Sequence, residues 1–211
     1  MSKFHTLFPQ VIYQDSLEDH SKFKEQFASK LIKKYEENPT RKRWDKESNS
    51  WAIDLSEFVC PELLESINGK LIKWFNHMDY GPIDYNIEAW WTVHKWHMHQ
   101  HRHMHNGHSR GFIFLCGIYY LQLNEKDNCV VFENVNNKNH PAQLAYFGLP
   151  IAHKYYMEST YGSLQFKEGD IVLFNPDQPH YVPAAKEEHD DYRIALVFNV
   201  SAPFRLLSIE E

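Results

Sequence analysis

The chain of 211 residues carries 22 lysines and arginines against 28 aspartates and glutamates, a formal net charge of −6, with a pI near 6.1. That balance excludes a protein that holds nucleic acid through bulk positive charge. With 43% hydrophobic residues and a mean hydropathy of −0.58, the composition predicts a soluble globular chain with one core and excludes a membrane protein. One domain over 1–211 is expected, with a helical part over 1–82 and a strand-rich part over 83–211.

From Ser16 to Asn38 the apolar residues Phe23, Phe27, Leu31, Ile32 and Tyr35 recur at helical spacing, which predicts an amphipathic helix capped by Asp15 or Ser16 and stopped at Asn38-Pro39. Arg41-Lys42-Arg43 and the polar run to Ser50 read as a solvated loop before the short apolar Trp51-Ala52-Ile53. Pro61 at a first-turn position and Leu63, Leu64, Ile67, Leu71, Ile72 and Phe75 predict a second helix ending near Met78. From Ile83 onward, short runs of Val, Ile, Tyr, Phe and Trp alternate with turn residues. Strands are expected at 87–96, 112–123, 129–133, 145–147, 162–166, 170–175 and 192–200. Many short strands at short spacing suggest a sandwich or barrel buttressed by the two helices.

Three cysteines, Cys60, Cys116 and Cys129, form no CxxC, and no apolar leader follows Met1; the expected setting is reducing, intracellular and cytoplasmic. The longest apolar stretch, Phe112 to Leu121, is about half a bilayer span and is broken by Gly117.

Histidine is the compositional outlier, at 14 residues. His97, His99, His101, His103 and His105 occupy every second position, so an extended chain would project them from one face. Two imidazoles so spaced can grip one metal ion, although histidine tracts also occur as solvated faces. Five cannot all join one site. Downstream, Gly169-Asp170 marks a turn, Ile171 to Phe174 a buried strand, and Asn175 to Pro179 a loop that delivers His180. In Tyr192-Arg193-Ile194-Ala195-Leu196-Val197-Phe198-Asn199, alternation puts Arg193, Ala195, Val197 and Asn199 on one face. An arginine on so apolar a strand needs a buried anionic partner, either a bound anion or an internal Asp or Glu. Trp90, Trp91 and Trp96 read as packing in preference to a substrate mouth. His140, His153 and His189 read as surface or loop residues, and Cys116 and Cys129 as buried thiols.

The ordered set of an HxH pair, Gly-Ile-Tyr-Tyr-Leu, Val-Val-Phe-Glu, Gly-Asp-Ile-Val-Leu-Phe, a distal His and Arg-Ile-Ala-Leu-Val-Phe-Asn resembles the Fe(II)- and 2-oxoglutarate-dependent oxygenases. It is most similar to their microbial and phage branch, distantly related to prolyl hydroxylases. Leu7-Phe8-Pro9 and Ser48-Asn49-Ser50-Trp51 resemble that branch too. The resemblance implies a mainly β fold of the α+β kind, a double-stranded β-helix or cupin-like jelly roll with N-terminal buttressing helices. It implies His103, His105 and His180 as metal ligands, with the neighbouring pairs 99/101 and 101/103 as alternatives to the first two. It further implies Arg193 as the clamp for the far carboxylate of 2-oxoglutarate, a bidentate charge-assisted contact, with Tyr119 and Asn199 as further cosubstrate-binding candidates.

One position departs from the family's pattern. The residue after the first ligand pair's opening His is His105, where a carboxylate is usual; the set is then three histidines, or Glu133 or His108 replaces His105. The implied cofactors are Fe(II) and 2-oxoglutarate, and the implied activity is that of a non-haem iron dioxygenase hydroxylating a small-molecule or peptidyl substrate with dioxygen and releasing succinate and carbon dioxide. Two other readings stay open: a three-His cupin-like dioxygenase without 2-oxoglutarate, and a non-catalytic metal-binding jelly roll.

Overall fold

Strands that are apolar at consecutive positions must bury both faces, and the computed structural model of the protein shows how. It describes residues 11–39, 50–55, 58–81, 83–105, 112–133 and 164–203. Among the described residues, nine strands and two helices run in the order β1 (Ile12–Ser16), α1 (His20–Glu37), β2 (Trp51–Asp54), α2 (Pro61–His77), β3 (Asn86–His94), β4 (Gln100–His103), β5 (Phe112–Gln122), β6 (Val131–Phe132), β7 (Asp170–Phe174), β8 (His180–Val182) and β9 (Arg193–Ala202). Six strands form one sheet in the order β1-β7-β5-β9-β3-β2, and three form a second in the order β4-β8-β6. Every neighbouring pair is antiparallel. Two facing antiparallel sheets with helices outside the larger one are the double-stranded β-helix.

Alternation sorts the six-stranded sheet into two cores. Trp91 and Val93 of β3, Leu115, Tyr119 and Leu121 of β5, Ile171 and Leu173 of β7, and Ile194, Leu196, Phe198 and Val200 of β9 pack under the helices with Phe23, Phe27, Leu31, Leu63, Ile67, Leu71 and Trp74. Cys116, Ile118 and Tyr120, Val172 and Phe174, and Ala195 face the other way, with Val130, Phe132 and Phe166. The second helix begins as expected, with Pro61 at its first turn.

Several expectations are corrected. The first helix starts at His20, because Ile12–Ser16 is a strand paired with β7. The residues read as its cap are used otherwise: Ser16 Oγ donates to Asp170 at 2.8 Å, and Asp15 accepts from Lys70 and Lys73 of α2 at 2.9 and 3.0 Å. Residues 164–166 are not a strand. The expected strand at 145–147, the basic triplet at 41–43 and the Leu7-Phe8-Pro9 segment lie outside the described residues. No described helix is long and apolar enough to cross a membrane.

Two predictions test this packing. Gly117 of β5 is the register partner of Phe198, and a Cβ there would run into the ring, which is fully buried and cannot retreat. Gly117→Ala is therefore expected to destabilise the fold by about 1–3 kcal/mol or more, read as a lower urea midpoint. Burial opposes ionisation of Asp15, but hydrogen bonds from Lys70, Tyr13 and Lys73 win and hold its carboxyl well below the usual range. A folded-state value below the unfolded one adds stability that is full above about pH 4, the ordinary aspartate value, and is lost as pH falls towards the folded value. Asp15→Asn should flatten that part of the acid limb in a series of denaturant titrations.

Candidate metal centre

Only part of the histidine tract is extended. His97 lies in a turn, and β4 covers Gln100–His103 with an irregularity in its pairing to β8, so the five alternating histidines do not share one face. His103 stands opposite His180 in the β4/β8 register. His105 follows the end of β4, pinned by its backbone N–H to the carbonyl of Pro176 at 3.0 Å. Three ligand nitrogens, one each from His103, His105 and His180, lie within 4.8 Å of one another. The structure brings these three together and leaves His99 and His101 as a separate ring pair 4.9 Å apart.

Each imidazole of the cluster is turned by a hydrogen bond at Nδ1. His103 donates to the His101 carbonyl at 2.7 Å and His180 to the Gln178 carbonyl at 2.9 Å. His105 donates to Asn199 Oδ1 at 2.5 Å. The three Nε2 lone pairs are thus left as the ligating atoms, the arrangement in which outer partners fix tautomer and ring direction. Burial, with some help from the neighbouring His103, holds His105 down to about 4. Burial and both neighbouring rings hold His180 well below its ordinary value. Both are therefore neutral at physiological pH, as a metal ligand must be. The residues fit a mononuclear divalent ion that accepts imidazole nitrogen, iron among them.

Glu133 does not join the cluster. Its carboxylate accepts from Arg102 Nε at 2.6 Å, across β8, and only its backbone reaches the site, through Pro179 and Gln178. His108 lies outside the described residues. The strands that bear His103 and His180 also line an open groove of about 450 Å³, walled by His99, His101, Arg102, Glu133 and Tyr181.

Arg193 opens β9 and is buried. Its Nη1 donates to the carbonyls of Asn128 and Pro183 at 2.6 and 3.1 Å, and its Nη2 to His94 Nδ1 at 2.7 Å and the Met98 carbonyl at 3.5 Å. Burial first, then the Arg193 charge, keeps His94 neutral, and its Nε2–H is left for Ser50 Oγ at 2.8 Å. Among the described residues no carboxylate makes an ion pair with Arg193, although the Asp127 charge lies within electrostatic range. Asp127 instead pairs with His189 at 3.2 Å. His189 lies in the loop before β9, within its reading as a surface or loop residue, with its side chain enclosed.

Between Arg193 and Asn199 the same face of β9 carries only Ala195 and Val197. Beside them in register lie Tyr120, Ile118 and Cys116 of β5 and Thr92 and Trp90 of β3. Trp90 stacks on His105, with centroids 6.2 Å apart, while Trp91 belongs to the helix-side core. Tyr119 is corrected: its hydroxyl meets His20 Nδ1 at 2.8 Å on the helix side, away from the site. The inward tyrosine is its neighbour Tyr120, whose hydroxyl accepts from the Val130 N–H at 3.0 Å. Both positions are apolar-flanked, and only the pairing of β5 decides which one turns inward. Asn199 faces inward as expected but touches a candidate ligand.

Fold and cluster together define the class: a double-stranded β-helix with a candidate mononuclear metal site between its sheets. The chain belongs to the family described as "Putative 2OG-Fe(II) oxygenase", whose profile matches residues 88–199, so Fe(II) and 2-oxoglutarate are its cofactors. The fold is similar to that of a Pseudomonas putida prolyl-4-hydroxylase (TM-score 0.62, 9% identity, over 92% of this chain and 94% of that one). It is also similar to a viral collagen prolyl hydroxylase of Paramecium bursaria Chlorella virus-1 in complex with 2-oxoglutarate (0.56, 12%, 92% and 96%). A third similar structure is HygX of Streptomyces hygroscopicus with nickel, 2-oxoglutarate and hygromycin B bound (0.57, 12%, 92% and 84%). No curated protein matches the chain by sequence.

The geometry predicts which histidines matter. His180→Ala should weaken Co(II) binding by more than the ~100-fold at which loss of an outer-shell partner tops out, whereas His99→Ala and His101→Ala should leave a stoichiometry of one ion per chain. A chelator-competition titration reads both.

Proposed function

We propose that the protein is an Fe(II)- and 2-oxoglutarate-dependent hydroxylase in which His103, His105 and His180 hold the metal and Arg193 holds the far carboxylate of the keto acid. The observation that carries this reading is the buried Arg193 guanidinium, which has no ion-paired carboxylate among the described residues and lies on the same strand face as the residue that orients His105. A guanidinium cannot shed its charge on burial. A dicarboxylate whose other end reaches the metal would supply the anion that the strand lacks.

When bound, iron and keto acid supply dioxygen activation, with succinate and carbon dioxide as products and a substrate C–H as the hydroxylated group. The chain's own contribution is to bind and to exclude. The carbonyls of Asn128, Pro183 and Met98 and the His94 ring nitrogen take the four Nη hydrogens of Arg193, which fixes the guanidinium in place and leaves Nε–H, with the full charge, to face an anion. Ala195 and Val197 are the two side chains of β9 on this face between Arg193 and Asn199, and neither is polar. Phe132, Phe174 and Ile118 make the wall apolar, which strengthens every charged contact inside it.

The test is anaerobic. Protein reconstituted with Fe(II) and then given 2-oxoglutarate is expected to show the visible charge-transfer band of a chelated keto acid, weakened in Arg193→Ala and absent in His180→Ala. Stoichiometric iron without a band would overturn the proposal and favour a three-His dioxygenase in which Arg193 serves a substrate carboxylate.

A further inference from the structure

We propose that Asn199 is the positioning residue that allows a histidine to serve at position 105, by fixing that imidazole as the Nδ1–H tautomer with Nε2 presented to the cluster. This rests on the reading of His103, His105 and His180 as the metal ligands. His103 and His180 are turned by the backbone carbonyl two positions earlier in their own segments. A carbonyl can only accept, so it dictates the tautomer whatever the neighbouring side chains are. His105 instead depends on a side chain from another strand, 94 positions away. An amide can accept through Oδ1 or donate through Nδ2, so the sequence at 199 decides what position 105 can do.

Three contacts fix the outcome. Trp90 lies nearly parallel to the His105 ring, at 20° and 6.2 Å between centroids, and Phe174 meets it edge-on at 82°. With the ring plane held between them, the remaining freedom is a flip that exchanges the nitrogen and carbon edges. The flipped ring would set a carbon against Asn199 Oδ1 and lose a 2.5 Å hydrogen bond in a buried setting. The Cys116 thiol stands 3.5 Å from the same oxygen; burial keeps it protonated, so it is a second donor. The thiol is a donor whatever the His105 tautomer, and it places Oδ1 at that edge and Nδ2 away.

The same amide would suit the family's usual carboxylate. Turned over, its Nδ2–H donates to an Asp at 105. Asn199 is therefore coupled to His105 in sign, accepting from a histidine and donating to an aspartate.

Long-range ¹H–¹⁵N spectra of the metal-free protein should show His105 as the Nδ1–H tautomer, and Asn199→Ala should show a mixture. Co(II) affinity, measured by chelator competition, is expected to fall ~10–100-fold in Asn199→Ala. Asn199→Asp, which keeps an acceptor of the same size, should restore it and shift the Co(II) absorption bands. In a His105→Asp background, Asn199→Ala and Asn199→Asp should reverse order, because a second carboxylate repels the first. An unchanged tautomer and unchanged Co(II) affinity in Asn199→Ala would overturn the inference. Failure of the unmodified protein to bind Co(II) would instead overturn the ligand assignment, and the tautomer spectra separate the two outcomes.

Discussion

Two buried polar side chains on one face of one strand organise the site. β9 runs between β3 and β5 in the large sheet, so both of its edges are paired and Arg193 to Leu196 are buried on both faces. Its helix side is filled by Ile194, Leu196, Phe198 and Val200. Its inner side carries Arg193 and Asn199 at the two ends of a short apolar run. A buried guanidinium and a buried amide each cost several kcal/mol if left without partners, so the surrounding elements are committed to supplying them. The Arg193 end gathers His94 from β3 and carbonyls from the segments after β5 and β8. The Asn199 end gathers Cys116 from β5 and His105 from beyond β4.

Charge ties these ends together. Three neutral imidazoles leave the full +2 of a divalent ion undiminished, where the usual carboxylate would reduce it to +1. With Arg193 the site would carry +3, and a keto-acid dianion brings it to +1. Asp127 lies within electrostatic range of Arg193 and, among the described residues, is the carboxylate whose charge acts on it. Its own pairing with His189, whose Nδ1 is buried with no hydrogen-bond partner, holds that carboxylate beside the arginine without an ion pair that would displace an incoming anion. A histidine at 105 and a carboxylate held at arm's length from Arg193 are thus complementary: both favour a dianionic ligand spanning the two ends.

What was legible in the sequence follows the same physics. Apolar runs with turn signals located β5, β7 and β9, and period-2 alternation on β9 separated its two faces because Arg193 and Asn199 break the apolar pattern. On β5 nothing breaks it. Ile118, Tyr119, Tyr120 and Leu121 are all buried, so the sequence offers no sign of which tyrosine turns inward, and register alone puts Tyr119 on His20 and Tyr120 on the face shared with Arg193 and Asn199. In the histidine tract, period 2 is real as a sequence pattern yet misleading as geometry. Met98 is buried and accepts from the Lys95 N–H through Sδ, a turn that takes His97 and His99 out of line. The partners of Arg193 were not legible at all, since backbone carbonyls of Asn128, Pro183 and Met98 leave no residue signature.

The two ends of β9 differ in how the chain closes over them. At Arg193 the segments after β5 and β8 are laced together: Lys186 N–H to the Lys126 carbonyl at 2.8 Å, Asn128 Nδ2 to the Ala184 carbonyl at 2.5 Å, Asn124 Nδ2 to Asp191 at 2.6 Å, and Ala185 N–H to the Trp96 carbonyl at 2.7 Å. At the far end, Phe112 pairs with Ala202 and is 58% exposed, and Met104, between two of the clustered histidines, is 42% exposed. Arg193 and His180 are both deeply desolvated, and exposure rises only beyond them, at Met104 and Phe112. Low dielectric at the closed end strengthens any charged contact that Arg193 makes. One strand therefore has a laced end at Arg193 and, near its other end, the exposed apolar side chains of Phe112 and Met104.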